Sequence, residues 1–212
     1  SGGGDWKKAL PAAIAVELVH NFSLVHDDIQ DNSPLRRGRP TIWTKWGIPQ
    51  AINAGDLLFN LAFTSIARLD HYYAPEIALR AVQTLTHTCT LLTGGQFLDL
   101  SYETYRELPL EAYWPMVAGK TAALLSCCAE VGALCAEMSL ENQEHFRIFG
   151  HKLGLAFQVW DDYLGIWGDS AITGKSTASD LVAGKKTLPV LFALAQNGAF
   201  AQRWRQGSIT QS

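Results

Sequence analysis

Apolar side chains recur at helical spacing along nearly the whole of this chain, and period-two alternation is almost absent. A chain so patterned satisfies its backbone hydrogen bonds inside helices and can bury its apolar faces only by packing helix on helix. From residue 10 to 25 the series Leu10, Ile14, Val16, Leu18 runs without a glycine, and Pro11 falls where a first turn tolerates it. The same period predicts helices over 49–69, 75–104, 110–138, 141–166 and 187–196. Residues 32–46 read as a polar loop, because Ser33-Pro34, Arg36-Arg37-Gly38-Arg39-Pro40 and Trp46-Gly47 supply turn formers and proline restrictions. The run of small residues over 118–133 predicts a helix packed closely on several neighbours. No repeat, low-complexity tract or linker divides the 212 residues, of which 48% are hydrophobic. The expectation is an all-α bundle, a single domain over 1–212.

The chain enters its first helix almost directly from Ser1-Gly2-Gly3-Gly4-Asp5 and ends on polar residues 206–212 straight after an apolar helix candidate. This predicts a domain lacking its amino-terminal and carboxy-terminal helices. Seventeen basic residues against 20 acidic ones leave a net charge of -3, so there is no overall basic field for nucleic acid or an anionic membrane. Cys89, Cys127, Cys128 and Cys135 lack paired spacing and read as free thiols, not as a disulfide or zinc framework. No stretch combines the length and apolarity of a membrane span, and the first residues lack a signal-peptide pattern, which gives a cytoplasmic expectation.

Two acidic clusters stand out. His26-Asp27-Asp28-Ile29-Gln30-Asp31 closes an apolar helix, and the spacing of Asp27 to Asp31 puts both carboxylates on one face, a turn apart. Phe157-Gln158-Val159-Trp160-Asp161-Asp162 closes another. A helix C-terminus already carries partial negative charge, so acids there call for a cation. One acid-rich helix end is usually a solvated surface; two on apolar helices point to a hard divalent ion. Mg²⁺ prefers carboxylate oxygens and bridges to substrate phosphates, so the expected substrate is a diphosphate. Arg36, Arg37 and Arg39 follow the first cluster, and Lys175, Lys185 and Lys186 follow the second. A single lysine is ordinary loop charge, but forked guanidinium donors immediately after an acidic helix end suit phosphate oxygens.

These residues resemble the trans-prenyl diphosphate synthases over nearly the whole chain. The family's DDxxD and RRGxP segments are matched by residues 27–31 and 36–40. Asn53-Ala54-Gly55-Asp56, Gly95-Gln96-Phe97-Leu98-Asp99, Gly119-Lys120-Thr121, Phe157-Gln158, Asp161-Asp162, Gly174-Lys175, Ser179-Asp180-Leu181 and Lys185-Lys186-Thr187-Leu188-Pro189 follow in the family's order. The resemblance implies an isoprenoid synthase helical bundle around a central active-site cavity, forming a homodimer. It implies a prenyltransferase that joins isopentenyl diphosphate to an allylic diphosphate by ionisation, condensation and elimination. Asp27, Asp31 and Asp161 would bind several Mg²⁺ ions, supported by Asp28 and Asp162. Arg36, Lys120, Thr121 and Lys175 would hold the allylic diphosphate, Arg37 the isopentenyl diphosphate, and Gln158 and Lys185 would line the allylic site. Such ionisation needs metal ions and cationic groups to stabilise the leaving diphosphate, and aromatic faces such as Phe22, Phe157 and Trp160 to face an allylic cation.

Phe22, about a turn before Asp27, with small Ser23 beside it, would set product length, giving geranylgeranyl ahead of farnesyl diphosphate. Two departures from the family pattern stand out. Gly165 occupies the last position of the second DDxxD motif, with Asp169 as a candidate substitute, and no GGKxxRP segment precedes the first motif. The rival readings are a non-catalytic subunit of a hetero-oligomeric synthase, a class I terpene cyclase, and an all-α nucleotide pyrophosphatase.

Overall fold

The structure is a computed structural model and describes residues 3–105, 107–169, 179–182 and 184–207. Helix α1 spans Leu10–Gln30 with Pro11 in its first turn, where a missing N–H breaks no helical bond. The helix stops at the acidic cluster because Asn32 turns left-handed, at φ 51°. The Ser33 N–H then reaches the Asp28 carbonyl at 2.9 Å and the Asn32 N–H the Ile29 carbonyl at 3.2 Å, which satisfies carbonyls the helix would otherwise orphan.

The predicted loop holds more order than its sequence declares. Strands β1 (Leu35–Arg36) and β2 (Arg39–Pro40) pair antiparallel, Arg36 opposite Arg39. Arg37 and Gly38 between them have φ 51° and 74°, the all-positive turn whose twist suits a two-residue hairpin. Gly38 adopts this freely, whereas Arg37 carries a cost of about 1–2 kcal/mol. Helix α2 (Ile42–Trp46) follows; a single turn is too short for periodicity to reveal. Helices α3 (Ile48–Ala67) and α4 (Pro75–Thr104) occupy the predicted ranges, with a 3₁₀ turn at Arg68–His71 between them.

The single helix predicted over 110–138 runs from Leu110 to Cys135, and its hydrogen bonding changes along the way: a 3₁₀ turn (Leu110–Ala112), α5 (Tyr113–Val117), a π turn (Ala118–Ala122) and α6 (Ala123–Cys135). The expectation that nothing here is long and apolar enough for a membrane is also corrected. The 26 residues Leu110–Cys135 meet that test by length and composition, and half of the apolar window is buried within the protein, as in a core helix. Helix α7 spans Leu140–Trp167, and α8 (Ser179–Val182), α9 (Leu188–Ala195) and α10 (Ala199–Arg205) complete the described elements.

The chain divides into two compact units. The first comprises Ser1–Cys89 and Ser126–Gly150. In it α1 packs on α3. Ala12, Ala15 and Val19 on one helix and Ala51, Ala62 and Ile66 on the other are buried, and the Ser65 hydroxyl donates to the Pro11 carbonyl at 2.9 Å. Gly55 admits the imidazole of His26, since a Cβ there would overlap the ring.

The second unit comprises Thr90–Leu125 and His151–Ser212, with a core of Tyr113, Met116, Val117 and Leu191. Here the predicted close packing of small residues is observed. A Cβ at Gly95 of α4 would lie 2.5 Å from the Gly119 carbonyl carbon, and one at Gly154 of α7 would lie 2.5 Å from the Ala122 Cα. The π turn sits at this crossing, where backbones meet without intervening side chains. Such turns recur at functional sites.

Candidate functional site

In the first unit, the capped end of α1 presents Asp27, Asp28 and Asp31. The hairpin aims Arg36 back at them: Nε donates to Asp28 Oδ1 at 2.8 Å and Nη2 to Asp27 Oδ2 at 3.2 Å. The motif Arg-Arg-Gly-Arg-Pro therefore has a structural reason, since its turn returns the first arginine to the acids eight and nine residues earlier. Asp28 is buried. Burial raises its pKa, and the Arg36 hydrogen bond and charge partly offset that rise. Arg36 thus engages both Asp27 and the buried Asp28, while Asp27 and Asp31 lie a turn apart on one helical face. Arg37 is exposed at the hairpin tip.

Phe22 packs edge-on to His26 at 5.3 Å and against Phe59 of α3 at 4.9 Å. The Ser23 hydroxyl donates back to the His20 carbonyl at 2.8 Å. Phe59 in turn meets Phe63 edge-on at 5.0 Å, so the ring predicted to limit product length belongs to a cluster of aromatic rings. Asp56 lies 3.8 Å from His26.

In the second unit, Asp162 is a buried hub. Its Oδ2 accepts the Tyr113 hydroxyl at 2.7 Å and the Leu188 N–H at 2.9 Å, and its Oδ1 accepts from Gln158 at 2.9 Å. The Gln158 carbonyl accepts the Thr121 hydroxyl at 2.6 Å. Burial raises the Asp162 pKa, and these three donors lower it part of the way back. One carboxylate thereby ties α7 to α5 and to the first residue of α9. Asp161, half-buried, sits beside it. Lys120, on the π turn, pairs with Asp99 of α4. Lys185 is half-buried, and the Lys186 ammonium lies 5.3 Å from the Trp204 ring centroid. Lys175 lies outside the described residues. Phe157 and Trp160 stand exposed.

Sequence reasoning gave no role to Asp99 or Tyr113. Asp99 lay inside a motif segment, but its pairing with Lys120 needed the packed helices; Tyr113 carried no signal, because 49 residues separate it from Asp162.

Among the described residues no three His, Cys, Asp or Glu side chains converge into a metal cage. Mg²⁺ does not require one, since it keeps its waters and binds through one or two carboxylates plus substrate phosphates. The all-oxygen pair Asp27 and Asp31 fits that use.

Long helices, acids gathered at the end of one and within the last turns of another, and an arginine folded back on the first cluster define an all-α protein of the isoprenoid synthase type. The polyprenyl synthetase family matches residues 2–208, and the chain belongs to that family. A geranylgeranyl diphosphate synthase of Mycobacterium tuberculosis is 46% identical over 192 residues, 91% of this chain and 54% of that protein. A (2E,6E)-farnesyl diphosphate synthase of the same organism is 44% identical over 205 residues, 96% of this chain and 55% of that protein. The crystal structure of a polyprenyl synthase from Caulobacter crescentus, complexed with calcium and isoprenyl diphosphate, matches with a TM-score of 0.86 and 33% identity, covering 97% of this chain and 60% of that one. The chain spans about half the length of the curated relatives it matches.

Proposed function

We propose that this chain carries the acidic and cationic machinery of a Mg²⁺-dependent prenyltransferase that condenses isopentenyl diphosphate with an allylic diphosphate. The observation that carries the reading is the first cluster, where a left-handed cap ends α1 at Asp31 and a tight hairpin returns Arg36 to Asp27 and Asp28. A left-handed cap is common to helix ends; the hairpin that brings an arginine back onto two of the acids is what sets this one apart. The second cluster supports it, with Asp161 held beside a fully hydrogen-bonded Asp162.

In this reading Asp27, Asp31 and Asp161 hold the ions. Magnesium, when bound, neutralises charge on the departing diphosphate. Arg36, Lys120, Lys175 and Lys185 bind diphosphate oxygens, and Arg37 binds isopentenyl diphosphate. Arg36 and Lys120 already engage carboxylates, so each is oriented before substrate arrives, and binding exchanges or shares an existing ion pair. Gln158 and Thr121 keep their neighbours in register through Asp162. Asp28 and Asp162 act as supports: Asp28 Oδ1 accepts from Arg36, and both oxygens of Asp162 accept from this chain's own donors. No protein nucleophile is needed, because the double bond of isopentenyl diphosphate attacks the allylic cation and a proton then leaves. The cluster of aromatic rings around Phe22 favours a short product, geranylgeranyl ahead of farnesyl diphosphate, and both names occur among the relatives. A homodimer completes the proposal.

The test is to incubate the protein with Mg²⁺, labelled isopentenyl diphosphate and each allylic starter in turn, and to size the dephosphorylated products. A discrete product is expected, and Asp27→Ala should abolish it. Undiminished turnover in the folded variant would refute the assignment of Asp27.

A further inference from the structure

The nonhelical stretch Gly184-Lys185-Lys186-Thr187 leads into α9, and its main chain is held at both ends. Gly184 is left-handed at φ 72°, and the Lys185 N–H donates to the Asp180 carbonyl at 2.9 Å, as in the cap of a helix end. At the other end the Leu188 N–H donates to Asp162 at 2.9 Å. The buried Thr187 hydroxyl finds no hydrogen-bond partner among the described residues, so it does nothing to hold the middle.

Lys186 supplies that hold. Its ammonium lies over the Trp204 ring, 5.3 Å from the centroid, within reach of cation–π attraction, and donates to the Gly184 carbonyl at 3.3 Å. The amine is partly desolvated: burial lowers its pKa, and the charge of Glu103 on α4 offsets part of that. Loss of water strengthens the attraction of the ring. Trp204 is in turn a seated platform. Ala201, three residues earlier on α10, is fully buried, Phe200 lies against the ring at 5.6 Å, and Arg205 donates to Glu107 and to Asn197 at 2.8 Å each.

We propose that Trp204 is a positioning residue: it clasps Lys186 and thereby fixes where Lys185 meets a diphosphate. The adjacent lysines divide the work, Lys186 as the anchor and Lys185 as the donor to diphosphate oxygens. The inference rests on the proposed function for the ligand of Lys185, whereas the clasp rests on the geometry alone.

The experiment uses the whole chain with Trp204→Leu, Trp204→Phe, Lys186→Met, Lys185→Met and the double variant Trp204→Leu with Lys185→Met, each checked for helical content. Hydrogen exchange at the Lys185 amide reads the clasp directly, calorimetry measures binding of Mg²⁺ with inorganic diphosphate, and a third assay follows incorporation of isopentenyl diphosphate. Losing either half of the clasp, in Trp204→Leu or Lys186→Met, should speed that exchange and weaken diphosphate binding, each about fivefold. Trp204→Phe keeps an aromatic face and should stay within about twofold of the starting chain. In the Lys185→Met background Trp204→Leu should add no further loss of binding, because residues that act through one contact are not additive. A merely structural tryptophan would lower binding by the same factor in both backgrounds, and that result overturns the proposal. Unchanged exchange or unchanged binding in Lys186→Met overturns it too, and decides the matter if Trp204→Leu does not fold. A starting chain that binds no diphosphate refutes the proposal and the synthase reading together. If it binds diphosphate with the expected coupling yet incorporates no isopentenyl diphosphate, the synthase reading falls and the clasp stands.

Discussion

Replacing Tyr113 with phenylalanine isolates the hub in the second unit. The ring is fully buried and phenylalanine fills the same volume, so no cavity forms. What disappears is the 2.7 Å hydrogen bond to Asp162 Oδ2. A hydrogen bond to a charged acceptor contributes about 1.5–3 kcal/mol. Asp162 keeps Leu188 and Gln158 as donors, which places the expected loss at about 1.5–2 kcal/mol, the lower part of that range. In urea this moves the unfolding midpoint down by about 1 M for an ordinary small-protein slope. The pH dependence gives a second check. Burial holds the folded pKa of Asp162 above its ordinary value of 3.8, so its ionisation counts against the fold. Stability from this group is full below the unfolded carboxylate range and falls as pH rises through the folded pKa. The Tyr113 hydroxyl favours the charged form, and its removal raises that folded pKa again. Tyr113→Phe should therefore cost less in acid than at neutral pH. An equal loss at both, or a loss under about 0.5 kcal/mol at neutral pH, would refute the reasoning.

Arg36→Ala should destabilise the first unit by about 1–2 kcal/mol, less than for a fully buried pair because the guanidinium is partly solvated. It leaves buried Asp28 without its arginine and raises a pKa that burial already holds up. Melting temperatures should thus separate from the parent's at neutral pH and converge in acid. Gly95→Ala forces a methyl against the Gly119 backbone and should cost about 1–3 kcal/mol or more by thermal denaturation. Gly94→Ala, one residue away with nothing within 4 Å of the added carbon, should instead gain about 0.5–1 kcal/mol by helix propensity; equal effects at the two positions would contradict the close crossing.

The periodicity of apolar residues determined the class of fold, because a helix must show one face to the core and that face repeats every 3.6 residues. It placed α3, α4 and α7 within a few residues and set Asp27 and Asp31 on one face. The motifs also located the acids and bases of each cluster along the chain. Sequence did not reveal the hairpin at Arg37-Gly38, the short α2 or the π turn, since each is one or two turns long and has no period of its own. Nor did it reveal that Asp28 and Asp162 look inward or that Lys120 meets Asp99. Composition and spacing report what a segment can do alone. Which donor reaches which carboxylate depends on where segments tens of residues apart meet, and only packed helices bring Tyr113 within 2.7 Å of Asp162.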